Sequence, residues 1–240
     1  MEIRLDILRQ TAGAEEPFFQ SFLHEAMDAS ETVATALTAL NERERLLDIS
    51  GTPVPPIRWE CSCLQKKCGA CAMVINGRPA LACEVRLTDC KKTVRLEPLK
   101  KFPVIADLQV DRNVMYENLK ALKLWFEDDV RTGERAAELA YDASRCLQCG
   151  CCLEVCPNFF AGGTFMGMAS AVPMTRLLTE LPVPQRKEAS QLYHKHVYEG
   201  CGKSLACRNI CPAKIDIDRM LVNSNAVAVW KRFFSPKEAE

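Results

Sequence analysis

The chain has 240 residues, 48% apolar and 26% charged, enough to bury a core and near the upper limit for one domain, so two domains are expected. Thirty-one Lys and Arg balance 31 Asp and Glu, a zero net charge that leaves no basic excess for nucleic acid. No apolar run approaches the roughly 18 residues of a membrane span, Met1-Glu2-Ile3-Arg4-Leu5-Asp6 lacks the apolar core of a secretory signal, and 14 cysteines behind such a cytoplasmic start point to metal or redox sites, not disulfides.

Residues 2–8 alternate polar and apolar as a half-buried strand does, and residues 18–22 pair with them across a Gly13-containing turn. Val33, Ala36, Leu37 and Leu40 recur at helical spacing, with Ser30 as the predicted N-cap ahead of Glu31. After the turn-rich residues 50–56, strands are predicted over 71–75 and 80–85 about the Asn76-Gly77 turn, and over 93–96. This is a small mixed sheet with one helix.

From about residue 104 the periodicity is helical, with candidate helices over 114–126, 135–141, 175–181, 186–198 and 217–234. Lys100, Lys101 and Pro103 separate the two regimes, which gives an α+β chain with domains over 1–102 and 103–240. A basic strip around Lys91, Lys92 and Arg95 and the segment 157–160 are candidate docking faces, with an uneven scatter of surface charge as the plainer reading of the strip.

Cys63-x4-Cys68-x2-Cys71, followed twelve residues later by Cys83, is the plant-type spacing for a 2Fe-2S cluster, which needs four thiolates and a loop wrapped around it. Gly69 and Ala70 keep side chains small where amides would approach the sulfides. Zinc is the alternative metal, although three cysteines in one loop match paired zinc knuckles poorly. Cys61 offers a second register two residues upstream, and the spacing favours Cys63.

Cys146-x2-Cys149-x2-Cys152-x3-Cys156-Pro157 is the bacterial ferredoxin run, whose fourth cysteine serves the other cluster of a pair. The second run is Cys201-x5-Cys207-x3-Cys211-Pro212, with Ser204 where the remaining cysteine would stand. Crossing the fourth ligands assigns Cys146, Cys149, Cys152 and Cys211 to a 4Fe-4S cluster and Cys156, Cys201 and Cys207 to a second site. Three thiolates suit a 3Fe-4S cluster, with a 4Fe-4S cluster completed by Ser204 or another donor as the alternative. Cys61, Cys90 and Cys151 are left over: Cys151 is expected as a packed thiol and Cys90 as a surface one. His24, His194 and His196 stand in no ligand spacing, and the last two are expected to face solvent.

The three cluster motifs in this order, together with Cys68-Gly69-Ala70-Cys71-Ala72-Met73, residues 75–83 and Arg145-Cys146-Leu147-Gln148-Cys149-Gly150-Cys151-Cys152, resemble the iron-sulfur subunit of the succinate dehydrogenase and fumarate reductase family. The resemblance implies an N-terminal β-grasp ferredoxin domain followed by a helical dicluster ferredoxin domain. It also implies a relay with no catalytic acid, base or nucleophile of its own. Electrons would pass between FAD in a flavoprotein subunit and a quinone beside the 3Fe-4S cluster in a membrane anchor, with the chain held peripherally on the cytoplasmic face of the membrane.

The family likeness places the quinone side at Pro157, Asn158 and Ser204. Here the sequence departs from ubiquinone-reducing members: Ala161 stands where they carry a tryptophan, and Gly202 where familiar members are polar. The departures look closer to menaquinone-linked fumarate reductases, or to members whose acceptor is not an ordinary quinone. Phe159 and Phe160 are expected as core packing. Alternatives are a homologous relay for another flavoprotein or a thiol/disulfide partner, and a zinc-stabilised interaction module.

Overall fold

The computed structural model describes residues 1–10, 16–126, 134–182 and 185–230. The expected Gly13-containing turn and helical residues 231–234 lie outside the described residues. Contacts divide the chain into two units, residues 1–112 with 149–154, and residues 113–148 with 155–240.

In the first unit β1 (Glu2–Arg9) pairs antiparallel with β2 (Phe18–Glu25), as the alternation predicts, and buries Ile3, Leu5 and Ile7 on one face. Antiparallel β3 (Ala72–Ile75) and β4 (Arg78–Leu81) turn at Asn76 and Gly77, both at positive φ (51° and 79°), the geometry that tight hairpins demand. β5 (Thr93–Glu97) runs parallel to β1 and antiparallel to β3, completing the order β2-β1-β5-β3-β4.

Helix α1 (Val33–Asn41) buries Val33, Ala34, Ala36, Leu37 and Leu40. Its N-cap is Thr32, not Ser30: Thr32 Oγ1 accepts from Thr35 N at 3.2 Å while Thr35 Oγ1 accepts from Thr32 N. Threonine thus closes a capping box for which the sequence offers no Glu. A five-stranded mixed sheet with one helix is the β-grasp arrangement. A hairpin of β6 (Val104–Ala106) and β7 (Gln109–Val110) follows, where only helical periodicity was expected. Strands of three and two residues are too short for alternation to register.

The second unit is helical: α2 (Asn113–Ala121), α3 (Glu134–Ser144), α5 (Met168–Glu180), α6 (Arg186–Tyr193) and α7 (Ile217–Asn225), with α4 (Cys151–Glu154) belonging to the first unit. Helices α6 and α7 each run on into a π-helical turn, His194–Tyr198 and Ala226–Trp230. α5 is buried along most of its length and contains Pro173. Among the described residues no helix is long and apolar enough to cross a membrane.

Candidate cluster sites

Two side chains fix the strand of chain that enters the first cysteine loop. Asn41 at the end of α1 bonds Ile57 in both directions, Nδ2 to the carbonyl at 2.8 Å and Oδ1 from the amide at 2.9 Å. Asp107 Oδ2 accepts from Arg58 N at 2.8 Å. Beyond these anchors Leu64, Lys66 and Gly69 take positive φ (51°, 62° and 75°). Such reversals turn successive amides toward one side of a loop, making a concavity that favours negative charge.

The amides of Gln65 and Lys67 lie 3.3 and 3.4 Å from Cys63 Sγ, that of Lys66 3.3 Å from Cys83 Sγ, and that of Cys63 3.5 Å from Cys68 Sγ. Cys71 Sγ is 3.4 Å from Cys83 Sγ. The loop therefore gathers Cys63, Cys68, Cys71 and Cys83, while Cys61 is exposed. The Gln65 and Lys67 amides draw the Cys63 thiol down to about 7, and burial, reinforced by Cys83, pushes Cys71 up to about 12. A soft cation balances the thiolate charge that burial resists, so four sulfurs with inward amides fit an iron-sulfur cluster. Cys83 does not arrive on a strand: β4 ends at Leu81, whose carbonyl accepts from Glu84 N at 2.9 Å as the chain turns.

Cys149 and Cys152 lie in the segment that packs with the first unit. Gly150 (φ +86°) lies against the Phe102 ring so closely that a Cβ would stand 3.0 Å from Phe102 Cζ, and Lys101 N donates to Glu154 Oε2 at 3.1 Å. Cys151 is fully buried, as a packed thiol should be, and donates toward Cys149. That bond, with help from Arg112, brings Cys149 down to about 7 against the opposing effect of burial; Cys151 is pushed up.

Cys146 and Cys211 lie in the second unit. Pro173 has no N–H, so the Ala169 carbonyl of α5 loses its helical partner. Gln148 Nε2 takes that carbonyl at 2.8 Å and also stands 3.2 Å from Cys146 Sγ, so a proline in one helix orients an amide onto Cys146. Arg145 Nη2 donates to Ala213 O at 2.9 Å, tying the residue before Cys146 to the stretch just after Cys211.

In the same unit burial pushes Cys207 up to about 11, with Cys156 and Cys201 close enough to add to the shift, so the three predicted cysteines share one neighbourhood. The intervening loop turns through Lys203 and Leu205 at positive φ and leaves Ser204 exposed. Pro157 and Asn158 are exposed; Asn158 Nδ2 donates to Gly200 O at 2.8 Å, and a Cβ on Gly202 would come within 2.9 Å of that same nitrogen.

Several expectations are corrected. Phe159 is buried, but Phe160 is 65% exposed, because Gly163 N closes a turn on its carbonyl at 3.0 Å and its ring is left outside the core. Cys90 is half-buried. His194 and His196 are half-buried and engaged, with Glu199 at 3.2 Å and Thr164 O at 3.0 Å, and His24 is buried against Glu31 at 2.7 Å. Lys91, Lys92 and Arg95, by contrast, are on the surface as expected, Arg95 stacking over Phe19 at 4.0 Å. No spacing rule marks Asp107, in the β6–β7 turn, or Arg112, just after β7, as a functional charge.

The 2Fe-2S iron-sulfur cluster binding domain family matches residues 4–117, and the 4Fe-4S dicluster domain family matches residues 142–215. The succinate dehydrogenase iron-sulfur subunit of Bacillus subtilis is 33% identical over 97% of this chain and 96% of its own. The fumarate reductase iron-sulfur subunit of Wolinella succinogenes is 26% identical over 86% and 87%. Among solved structures, a chain of the Mycobacterium smegmatis Sdh1 complex in the apo form superposes with a TM-score of 0.76 at 21% identity, covering 98% of both chains.

Proposed function

This chain belongs to the family of succinate dehydrogenase and fumarate reductase iron-sulfur subunits, and we propose that it relays electrons between FAD in a flavoprotein partner and a quinone, menaquinone being the closer fit, in a membrane anchor. The cysteine loop that gathers Cys63, Cys68, Cys71 and Cys83 under inward-turned amides is the observation that carries this reading. Cys63, Cys68, Cys71 and Cys83 would hold a 2Fe-2S cluster, Cys146, Cys149, Cys152 and Cys211 a 4Fe-4S cluster, and Cys156, Cys201 and Cys207 a 3Fe-4S cluster. When bound, such clusters accept and give single electrons, at potentials set by burial and by hydrogen bonds to sulfur.

The chain's own residues supply that tuning. Amides of Gln65, Lys66 and Lys67 and the side chain of Gln148 stabilise negative charge on sulfur, which favours the reduced state. Exposed Pro157, Asn158 and Ser204 form the proposed quinone side, with Gly202 leaving room beside Asn158. No acid or base of this chain is needed, because the flavoprotein would carry the dicarboxylate chemistry. The chain would then sit on the cytoplasmic face of the membrane through its partners.

Anaerobic purification of the native complex in detergent tests the proposal, with identification of the copurifying chains, iron and acid-labile sulfide analysis, and dye-linked assays of succinate oxidation and fumarate reduction. A flavoprotein, a membrane anchor and either activity are expected. A brown but inactive complex without an anchor would move the relay to another flavoprotein or a thiol/disulfide partner. Colourless protein holding zinc and no sulfide would replace the relay by a structural module.

A further inference from the structure

Arg112 follows β7 and leads into α2, and its side chain is only 12% exposed. Nη1 pairs with Glu60 Oε2 at 2.7 Å, and Nη2 donates to the carbonyls of Ala70 at 3.0 Å and Ala72 at 3.1 Å, the two residues flanking Cys71. Glu60 is itself held by Gln109 Nε2 at 3.4 Å. Arg112 Nε is buried and, among the described residues, meets no acceptor.

We propose that Arg112 is a positioning residue of the first cluster site: it clamps the loop around Cys71 through both flanking carbonyls, and its buried charge beside that loop raises the reduction potential of the cluster that Cys71 would hold. The inference rests on the cluster assignment proposed above. A guanidinium stays protonated at any working pH, so its charge is a fixed feature of the site. Reduction adds one electron to a cluster without bond making, and a nearby positive charge in a poorly screened interior stabilises the more negative product. Glu60 partly cancels that charge. Removing the arginine and removing its counter-ion should therefore move the potential in opposite directions, whereas two lesions of a purely structural clamp would not.

The test is a potentiometric titration of the full-length holoprotein, purified anaerobically and followed by electron paramagnetic resonance. Arg112→Gln is expected to lower the midpoint of the cluster on Cys71 by about tenfold in its one-electron equilibrium, about 59 mV. Arg112→Lys should retain most of the wild-type value, Glu60→Gln should raise it, and the cluster on Cys201 should keep its midpoint in all three. Should Arg112→Gln lose the first cluster outright, the sign of the Glu60→Gln shift decides. Unchanged midpoints, or shifts of the same sign in Arg112→Gln and Glu60→Gln, overturn the inference. Wild-type protein without cluster signals would instead overturn the assignment on which it stands.

Discussion

Arg9 Nε and Asp107 Oδ1 form an ion pair of 2.9 Å whose side chains are both almost fully buried. Arg9 takes the inward position that follows Ile3, Leu5 and Ile7 along β1, so a charge sits where the alternation calls for a hydrophobe. It survives there because every arm is used: Nη1 reaches Gln20 Oε1 at 3.3 Å and Nη2 the Pro55 carbonyl at 3.1 Å. Asp107 accepts in turn from the amides of Gln10 and Arg58, which links β1, the β6–β7 turn and the entry to the first cysteine loop.

Asp107→Asn should destabilise the first unit by about 3–5 kcal/mol, the usual consequence of leaving one buried charge without its partner. Asparagine tolerates the φ of +45° at this position, so the substitution isolates the charge. Denaturant-induced loss of the first cluster's visible absorption measures the effect, and adding Arg9→Met should cost less than the two changes made separately. A change below about 1 kcal/mol would mean the pair is not what anchors the loop.

Gly200 and Gly202 flank Cys201 and should respond very differently to alanine. A Cβ at Gly200 would stand 2.5 Å from Phe165 Cβ, well inside contact distance, so Gly200→Ala should cost about 1–3 kcal/mol through overpacking. At Gly202 only the Asn158 amide is in the way, and swinging it aside breaks one 2.8 Å hydrogen bond, worth about 1 kcal/mol. Thermal loss of the paramagnetic signal of the cluster proposed on Cys201 ranks the two variants, and equal midpoints would contradict the packing argument.

What could be read from the residues was whatever has a period or a spacing. The cysteine runs, the β1–β2 hairpin, the Asn76-Gly77 turn and the helical second half have one, and so are legible in the chain itself. Interactions that depend on a single residue did not. Thr35 completing the cap of α1, Gln148 filling the gap that Pro173 leaves, and Arg112 bridging the carbonyls around Cys71 join residues far apart in the chain, or lie outside the usual motif alphabet. The Pro173 case carried a usable signal, since a proline inside a helix always frees a carbonyl that something must satisfy. Phe160 failed for another reason: hydrophobicity says which residues gain by burial, not which of two adjacent rings a turn will leave outside.

Alkylation of the native holoprotein should separate the three cysteines outside the proposed cluster sites. Cys61 is exposed and should react first. Cys90 is half-buried, and burial followed by the Asp89 charge raises its thiol. A raised thiol is less ionised at pH 8, and only the thiolate attacks iodoacetamide, so Cys90 should lag and gain rate as the pH climbs beyond the ordinary thiol range. Cys151, fully buried, should stay unmodified until the protein unfolds. Mass spectrometry of timed samples reads all three rates, and early labelling of any of the eleven proposed ligands would break the assignment.

Ser204→Cys addresses the incomplete second run most directly. Ser204 is exposed in a loop that reverses at Lys203 and Leu205 between Cys201 and Cys207, so a thiol there meets no packing obstacle and stands at the position the ferredoxin run reserves for a ligand. Thiolate is a softer and stronger ligand for iron than a hydroxyl. The variant should therefore complete the site, replace the oxidised three-iron paramagnetic signal by that of a reduced four-iron cluster, and lower the potential at the quinone end. Slower reduction of a high-potential acceptor should accompany the change, with the signals of the other two clusters untouched. Persistence of the oxidised three-iron signal in a folded variant would place the missing ligand elsewhere than at Ser204.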